Sequence, residues 1–238
     1  MKKISVLMMS ATTAILMAVS CNQMGISNSV RLKSAVDSVS YAIGVNYGTG
    51  LGRALQTLPG GKANLDAVIA GFADAIKNDT SSLKFREEAA SAYVNQYVMS
   101  EQARDAETTK EEGDAFLAAN KTKDGVITTE SGLQYKVLTE GTGVRPAVDD
   151  QVKVHYTGRL LDGTVFDSSV ERGEPVTFGV TGVIQGWTEV LQIMPAGSKY
   201  QVWIPSDLAY GPQGAGQQIK PNSALEFEIE LLEVIKQK

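Results

Sequence analysis

The sequence contains one cysteine and one histidine in 238 residues. A lone Cys21 excludes an intrachain disulfide. One residue of each type is too few for most structural zinc sites, and any Ser-His-Asp triad would have to use His155. Charge of positive sign is also short: Lys+Arg 22 stand against Asp+Glu 27, for a net charge of -5. No Lys/Arg cluster supplies the electrostatic footprint of a nucleic-acid binder. Long apolar runs are absent except for Ile4 to Val19, which is shorter than the roughly 20 residues a spanning helix needs. With 43% hydrophobic residues, the composition is that of an ordinary globular chain, and wholesale disorder is excluded. No metal and no cofactor are expected.

The amino-terminus reads as an address. Lys2 and Lys3 form a short cationic head, Ile4 to Val19 follows without charge, and small residues close the stretch, as in a secretory signal. Leu16-Met17-Ala18-Val19-Ser20-Cys21 resembles the end of a bacterial lipoprotein signal, with Ala18 where that pattern prefers Leu. The resemblance implies a signal peptide over 1–20 and a lipidated Cys21 that anchors the chain to a membrane, since acyl chains contribute roughly 0.8 kcal/mol per buried methylene. It also implies a bacterial cell envelope location, on the periplasmic side of the outer membrane. Residues 21–37 are polar and Ser-rich, and read as a flexible tether.

Residues 38–125 follow a helical period. Val39, Ile43, Tyr47 and Leu51 recur every four residues, and Gly44, Gly48 and Gly52 form a second row beside them. Interior glycines cost a helix about 1 kcal/mol each relative to Ala, which close packing of another helix would offset. After Pro59-Gly60-Gly61, Asn64 is placed as an N-cap for a helix bearing Leu65, Ile69, Phe72 and Ile76. A third helix is expected from near Ser82. It turns polar on every face beyond Ser100, as a solvent-bridging linker does, and Gly113 is its expected weak point. Three helices with one polar arm make a poor core alone, so a homodimer through residues 38–125 is expected; twofold dimers are the commonest symmetric assembly.

Residues 126–238 are expected to form a second domain, in which the period becomes two from Gly132. Val152, Val154 and Tyr156 alternate with polar neighbours, as do Tyr200, Val202 and Ile204, and then Leu225, Phe227, Ile229 and Leu231. This is the pattern of antiparallel strands with one buried face and one facing water. Gly186 to Leu191 leaves room for one short helix. The fold class expected is α+β: about five strands in a twisted antiparallel sheet wrapped around a short helix, preceded by an all-helical domain.

Four separated motifs, Val154-His155-Tyr156-Thr157-Gly158, Gly163-Thr164-Val165-Phe166-Asp167-Ser168-Ser169, Val183-Ile184-Gln185-Gly186-Trp187 and Leu208-Ala209-Tyr210-Gly211, occur in the order and spacing of the FKBP family, the macrolide-binding peptidyl-prolyl cis/trans isomerases. Ser40-Tyr41-Ala42-Ile43-Gly44 and the helical region resemble the dimerisation domain of envelope members of the macrophage infectivity potentiator type. The resemblance implies a proline pocket with Tyr156, Phe166, Asp167, Tyr210 and Phe227 as catalytic residues. Val183, Ile184, Trp187, Arg172, Val176 and Leu208 would bind substrate. Trp187 would be the floor, the Ile184 N–H and the Tyr210 hydroxyl would hydrogen-bond peptide carbonyls, and Arg172 would hold the Asp167 carboxylate. Departures lie at Leu208 and Val176, where the best-known members carry aromatics, at Lys220, where they carry proline, and in the histidine-free loop 212–218. A macrolide is an expected inhibitor.

Taken one at a time, these residues also fit plain structure: the aromatics as core, and Asp167-Ser168-Ser169 as a turn with a side-chain cap. His155 lies on the strand face opposite Tyr156 and reads as structural or exposed. The joint pattern favours an isomerase acting on proline-containing, unfolded exported proteins. The other reading is a non-catalytic chaperone or interaction module built on the same fold and a helical cleft.

Overall fold

The computed structural model describes residues 30–77, 81 and 83–236. The expected signal 1–20, Cys21 and most of the tether lie outside the described residues. The chain divides into two compact units between Ala90 and Ser91.

The first unit contains helices α1 (Ala35–Gln56) and α2 (Leu65–Ile76) and the start of α3 (Glu87–Asn120). Helix α1 begins inside the stretch read as tether, because Ser34 and Asp37 form a reciprocal capping box: Asp37 N donates to Ser34 Oγ at 3.1 Å, and Ser34 N donates to Asp37 Oδ2 at 2.9 Å. Two orphan helix donors are thereby satisfied. Asn64 caps α2 as expected, its Oδ1 accepting from Ala67 N at 3.1 Å. Helix α3 starts at Glu87, later than the expected Ser82, and places Glu87 and Glu88 in its first turn, where carboxylates favour the positive end of the helix dipole. Neither α1 nor α2 has a buried residue. The row of Gly44, Gly48 and Gly52 faces open space, with nothing within 4 Å of an added Cβ.

Helix α3 has 34 residues, about 51 Å at 1.5 Å per residue, and runs unbroken through Gly113. That glycine is not a weak point. It is buried with Leu117 and Asn120, and a Cβ there would come within 3.2 Å of the Ala224 Cβ. The spacing 113, 117, 120 is one face of the helix, and Leu117, Trp203 and Ala224 form a small buried cluster on it. Asn120 donates to Gln134 Oε1 at 3.0 Å, and Gln134 Nε2 donates to the Leu117 carbonyl at 2.8 Å. The last turns of α3 thus belong to the second unit, and part of the sheet face expected to meet water is covered by them.

The sheet has seven antiparallel strands, more than the five expected: β1 (Ile127–Thr128), β2 (Gln134–Thr139), β3 (Gln151–Leu160), β4 (Val165–Ser168), β5 (Val176–Gly179), β6 (Lys199–Ile204) and β7 (Leu225–Ile235). A one-turn helix α4 (Ser169–Arg172) joins β4 to β5, and α5 (Gln185–Ile193) lies between β5 and β6. The order is β1-β2-β6-β7-β3-β4, with β5 also paired to β3. The inward residues Val152, Val154, Val202, Ile204, Leu225, Ile229 and Leu231 are fully buried, together with Val190 and Leu191 of α5. The sheet therefore wraps the short helix, as the period-two pattern implied.

One topological detail makes the site. Along the same edge of β3, residues 151–154 pair with β5 and residues 157–159 pair with β4. Between them the ladder is interrupted at His155 and Tyr156, and Ser169 fills the gap. Its Oγ accepts from Tyr156 N at 2.8 Å and donates to Tyr156 O at 3.3 Å. A buried backbone pair is satisfied by a side chain where no strand can reach.

Candidate active site

An apolar cavity of about 430 Å³ opens over this gap, lined by Tyr156, Phe166, Asp167, Phe178, Gly182, Val183, Ile184, Trp187, Tyr210 and Phe227. That volume is in the range of small-ligand sites. Each wall comes from a different element: Tyr156 from β3, Phe166 and Asp167 from β4, Phe178 from β5, Trp187 from the first turn of α5, and Phe227 from β7.

The aromatic walls meet edge to face. Trp187 is the hub, with its ring centroid 5.2 Å from Tyr156, 5.4 Å from Phe227 and 5.8 Å from Phe178, and interplanar angles of 89°, 85° and 83°. Phe166 meets Phe227 at 5.6 Å and 86°. Edge-to-face pairs contribute about 0.5–1.5 kcal/mol each beyond area burial, so the box is held open by its own packing. Gly158 makes it possible: a Cβ there would lie 2.7 Å from both the Phe166 and the Phe227 rings.

A single polar cluster stands at the edge of this box. The Tyr156 hydroxyl donates to Asp167 Oδ2 at 2.5 Å, Arg172 Nη1 donates to Asp167 Oδ1, and Arg172 Nη2 donates to the Tyr156 hydroxyl at 3.1 Å. Burial alone would raise the Asp167 pKa, but the hydrogen bonds from Tyr156 and Arg172 outweigh it and hold the carboxyl below its ordinary value. Burial, then the bond to Asp167, pushes the Tyr156 phenol up. The Arg172 guanidinium is held more firmly protonated by Asp167 and Tyr156. Asp167 is therefore an anion with both oxygens engaged, the state of an electrostatic or orienting group and not of a free base.

Tyr156, Phe166, Asp167, Val183, Ile184, Trp187, Tyr210 and Phe227 are thus brought together as the motifs implied. Arg172 stands outside the cavity and grips Asp167. Val176 and Leu208, expected to touch substrate, are half-buried against the core that backs the cavity. Sequence reasoning missed Phe178 and Gly182. Phe178 shares a strand face with Val176, two residues away, so the period-two rule was sufficient to find it. Ser168 is also the side-chain cap that a plain turn would have, its Oγ accepting from Glu171 N at 3.2 Å. His155 is half-buried, with Nδ1 3.1 Å from Ser169 Oγ, behind the pocket.

Comparison with known proteins gives the same assignment. The sequence model for the FKBP-type peptidyl-prolyl cis-trans isomerase domain matches residues 143–232, and that for the domain amino-terminal to it matches residues 36–137. The outer membrane protein MIP of Legionella longbeachae is 40% identical over 232 residues, covering 94% of this chain and 97% of that protein. The chain belongs to the FKBP-type peptidyl-prolyl cis-trans isomerases. An FKBP-type 22 kDa isomerase of Escherichia coli is 47% identical over 201 residues, 80% of this chain and 94% of that one. The crystal structure of FkpA from Escherichia coli superposes with a TM-score of 0.73 at 34% identity, covering 86% of this chain and 99% of that one. The match to the isomerase domain falls on the sheet-bearing part of the chain, and the match to the amino-terminal domain runs through the helices into β2.

Proposed function

We propose that this isomerase acts on X-Pro bonds of unfolded, exported polypeptides, with proline seated on Trp187 in the aromatic box. The supporting observation is the set of edge-to-face contacts centred on Trp187 that line an apolar cavity of about 430 Å³, with one fixed anion at its edge. Rotation about an X-Pro bond faces a barrier of roughly 18–20 kcal/mol, because the planar amide is resonance-stabilised. The twisted transition state loses that resonance, and its carbonyl is less polar. An apolar, water-poor pocket therefore favours it over the planar form, and only such differential binding accelerates the step. Phe166, Phe227 and Trp187 exclude water. The Ile184 N–H and the Tyr210 hydroxyl hold flanking carbonyls of the peptide, and Asp167, kept ionised by Tyr156 and Arg172, supplies a fixed dipole at the rotating amide. No covalent bond is made or broken to substrate. The test is cis-to-trans isomerisation of short X-Pro peptides by residues 22–238, with and without an FKBP-binding macrolide. Macrolide-sensitive catalysis is expected; a folded protein without catalysis would transfer the function to the chaperone reading.

The setting proposed is the bacterial envelope, with the chain anchored through a lipidated Cys21 on the periplasmic side of the outer membrane. The charge-then-apolar leader and the name of the Legionella relative support it. Among the described residues no helix is long and apolar enough to cross a membrane. Cys21→Ala should leave the protein unprocessed or released from membranes, and unchanged partitioning would end the anchor.

A homodimer through residues 38–125 is supported by the exposure of Val39, Ile43, Tyr47 and Phe72, an apolar load that a second copy would cover. Light scattering of residues 22–238 is expected to give twice the chain mass. The same helices, unnecessary for isomerising a short peptide, favour an added client-holding role.

A further inference from the structure

Asn222 is the one non-glycine residue with positive φ among those described, at 60°. Left-handed backbone is unfavourable for residues with a side chain, and glycine is the usual occupant. Asn enters this region more readily than other side-chain-bearing residues because it can hydrogen-bond there, and Asn222 donates from Nδ2 to the carbonyl of Ala106 on α3 at 3.2 Å. The backbone of the same residue donates in another direction, from N to the Gly211 carbonyl at 2.8 Å. Gly211 follows Tyr210, a wall of the pocket. It has φ +57, a conformation that glycine adopts without strain.

The Gly211 bond closes the base of the loop that runs from Tyr210 out to Gln218 and back. Within that loop Ala215 and Ile219 exchange backbone bonds, at 2.9 and 3.1 Å. The loop is therefore tied to itself at its tip, and to the rest of the molecule through Asn222. On the other side of Asn222 the chain enters β7 and reaches Phe227, a second pocket wall. Helix α3 grips the short segment 222–224 twice: at Ala106 through the Asn222 amide, and at Gly113, whose bare backbone receives Ala224.

We propose that Asn222 is a positioning residue for the isomerase reaction, joining α3 to the Tyr210 wall of the proline pocket. The proposal rests on the reading of Tyr210 as a peptide contact. Through Asn222 the seating of α3 sets where the Tyr210 hydroxyl stands, so a change in the linking helix reaches the pocket without passing through the core. The bond is made in both the planar and twisted states of the substrate. Its loss therefore weakens binding uniformly, raising KM while leaving kcat near its native value.

The test is steady-state isomerisation of Xaa-Pro tetrapeptides by the full-length protein with Asn222→Gly, Asn222→Asp, Tyr210→Phe and the Asn222→Gly/Tyr210→Phe pair. Glycine keeps the left-handed backbone and the Gly211 bond and removes only the tie to Ala106. Aspartate keeps the shape but cannot donate. Both are expected to raise KM about fivefold, the worth of one hydrogen bond, with kcat within about twofold. Tyr210→Phe should raise KM in the native background and change it less than about twofold beside Asn222→Gly, because the two act as a unit. A native KM in both Asn222 variants overturns the proposal, even where thermal stability falls. A Tyr210→Phe effect of equal size in both backgrounds also overturns the proposal, because Asn222 would then not act through Tyr210. A Tyr210→Phe without effect in the native background overturns the role of Tyr210 and the proposal with it.

Discussion

The two units of the chain are both rich in apolar side chains, and only one of them buries its own. In the sheet unit Val152, Val154, Leu191, Ile229 and Leu231 are fully enclosed, whereas on α1 Val39, Ile43 and Tyr47 are 55%, 53% and 70% exposed. A sheet that curls around a short helix closes a core with local resources. Helices α1 and α2 and the start of α3 leave their apolar faces exposed among the described residues, and most helical stability in proteins comes from packing an apolar face. The difference separates a unit that closes its own core from one that leaves its apolar faces exposed, which the proposed homodimer would cover.

The largest effect that tests this separation is Trp187→Ala. Removing the hub of the aromatic box should destabilise the sheet unit by about 3–5 kcal/mol and abolish isomerisation, without altering the association of the helices. Denaturant unfolding followed by Trp203 fluorescence, beside light scattering at low denaturant, would read both. Loss of association together with the core would mean that the two units do not stand apart.

The converse change is Ile43→Asp with Tyr47→Asp on α1. Carboxylates in a covered apolar face are strongly unfavourable, so the dimer mass should fall to that of one chain, while kcat/KM for a tetrapeptide stays within about twofold. Suppression of aggregation of an unfolded client should fall with the dimer. Unchanged suppression by the monomer would remove the helical faces from client handling.

Next in size is Leu117→Ala, which probes where the catalytic unit begins. Leu117, Trp203 and Ala224 pack together, and Asn120 and Gln134 are joined beside them. The expected cost is about 2–4 kcal/mol in the unfolding of the sheet unit, with the pocket intact at low temperature. A fragment starting at residue 128 would lose this whole contact and should be less stable than one starting at Ser91. Equal unfolding midpoints for the two fragments would return α3 to the role of a bare linker.

How far the sequence carried this picture depended on the range of the interaction. Strands β3, β6 and β7 were legible because Val152-Val154-Tyr156, Tyr200-Val202-Ile204 and Leu225-Phe227-Ile229 alternate within a few residues, and the site was legible because its motifs are contiguous. The covering of Trp203 by Leu117 was not, since it joins residues far apart whose local patterns read as a polar helix and an outward strand position. The Ser169 bonds that bridge the gap in β3 were hidden for the same reason. The capping box at Ser34 and Asp37 was in plain view as Ser-x-x-Asp, and the tether reading passed over it. Phe178 was also recoverable, from its spacing to Val176.

The smallest effect concerns the polar edge of the box, and the sign of its pH dependence sharpens what Arg172 does there. Asp167 is held below its ordinary carboxylate value, against burial, by hydrogen bonds from Tyr156 and Arg172. A depressed carboxylate contributes stability that is present above its unfolded pKa of about 4 and disappears as pH falls through the folded value. Arg172→Met removes one of the two donors, so the folded value of Asp167 moves up toward the unfolded one: less stability is present above about pH 4, and the smaller loss on acidification is complete at a higher pH. Because Asp167 and Arg172 side chains are 41% and 45% exposed, solvent screening keeps the gap small. Urea midpoints of native protein and variant should differ above about pH 4 and converge as Asp167 becomes protonated in both. The guanidinium also stands 5.7 Å from the Tyr156 ring centroid, an attraction that does not titrate in this range. A gap that persists unchanged to pH 3 would therefore assign the work of Arg172 to the ring and release Asp167 from its control.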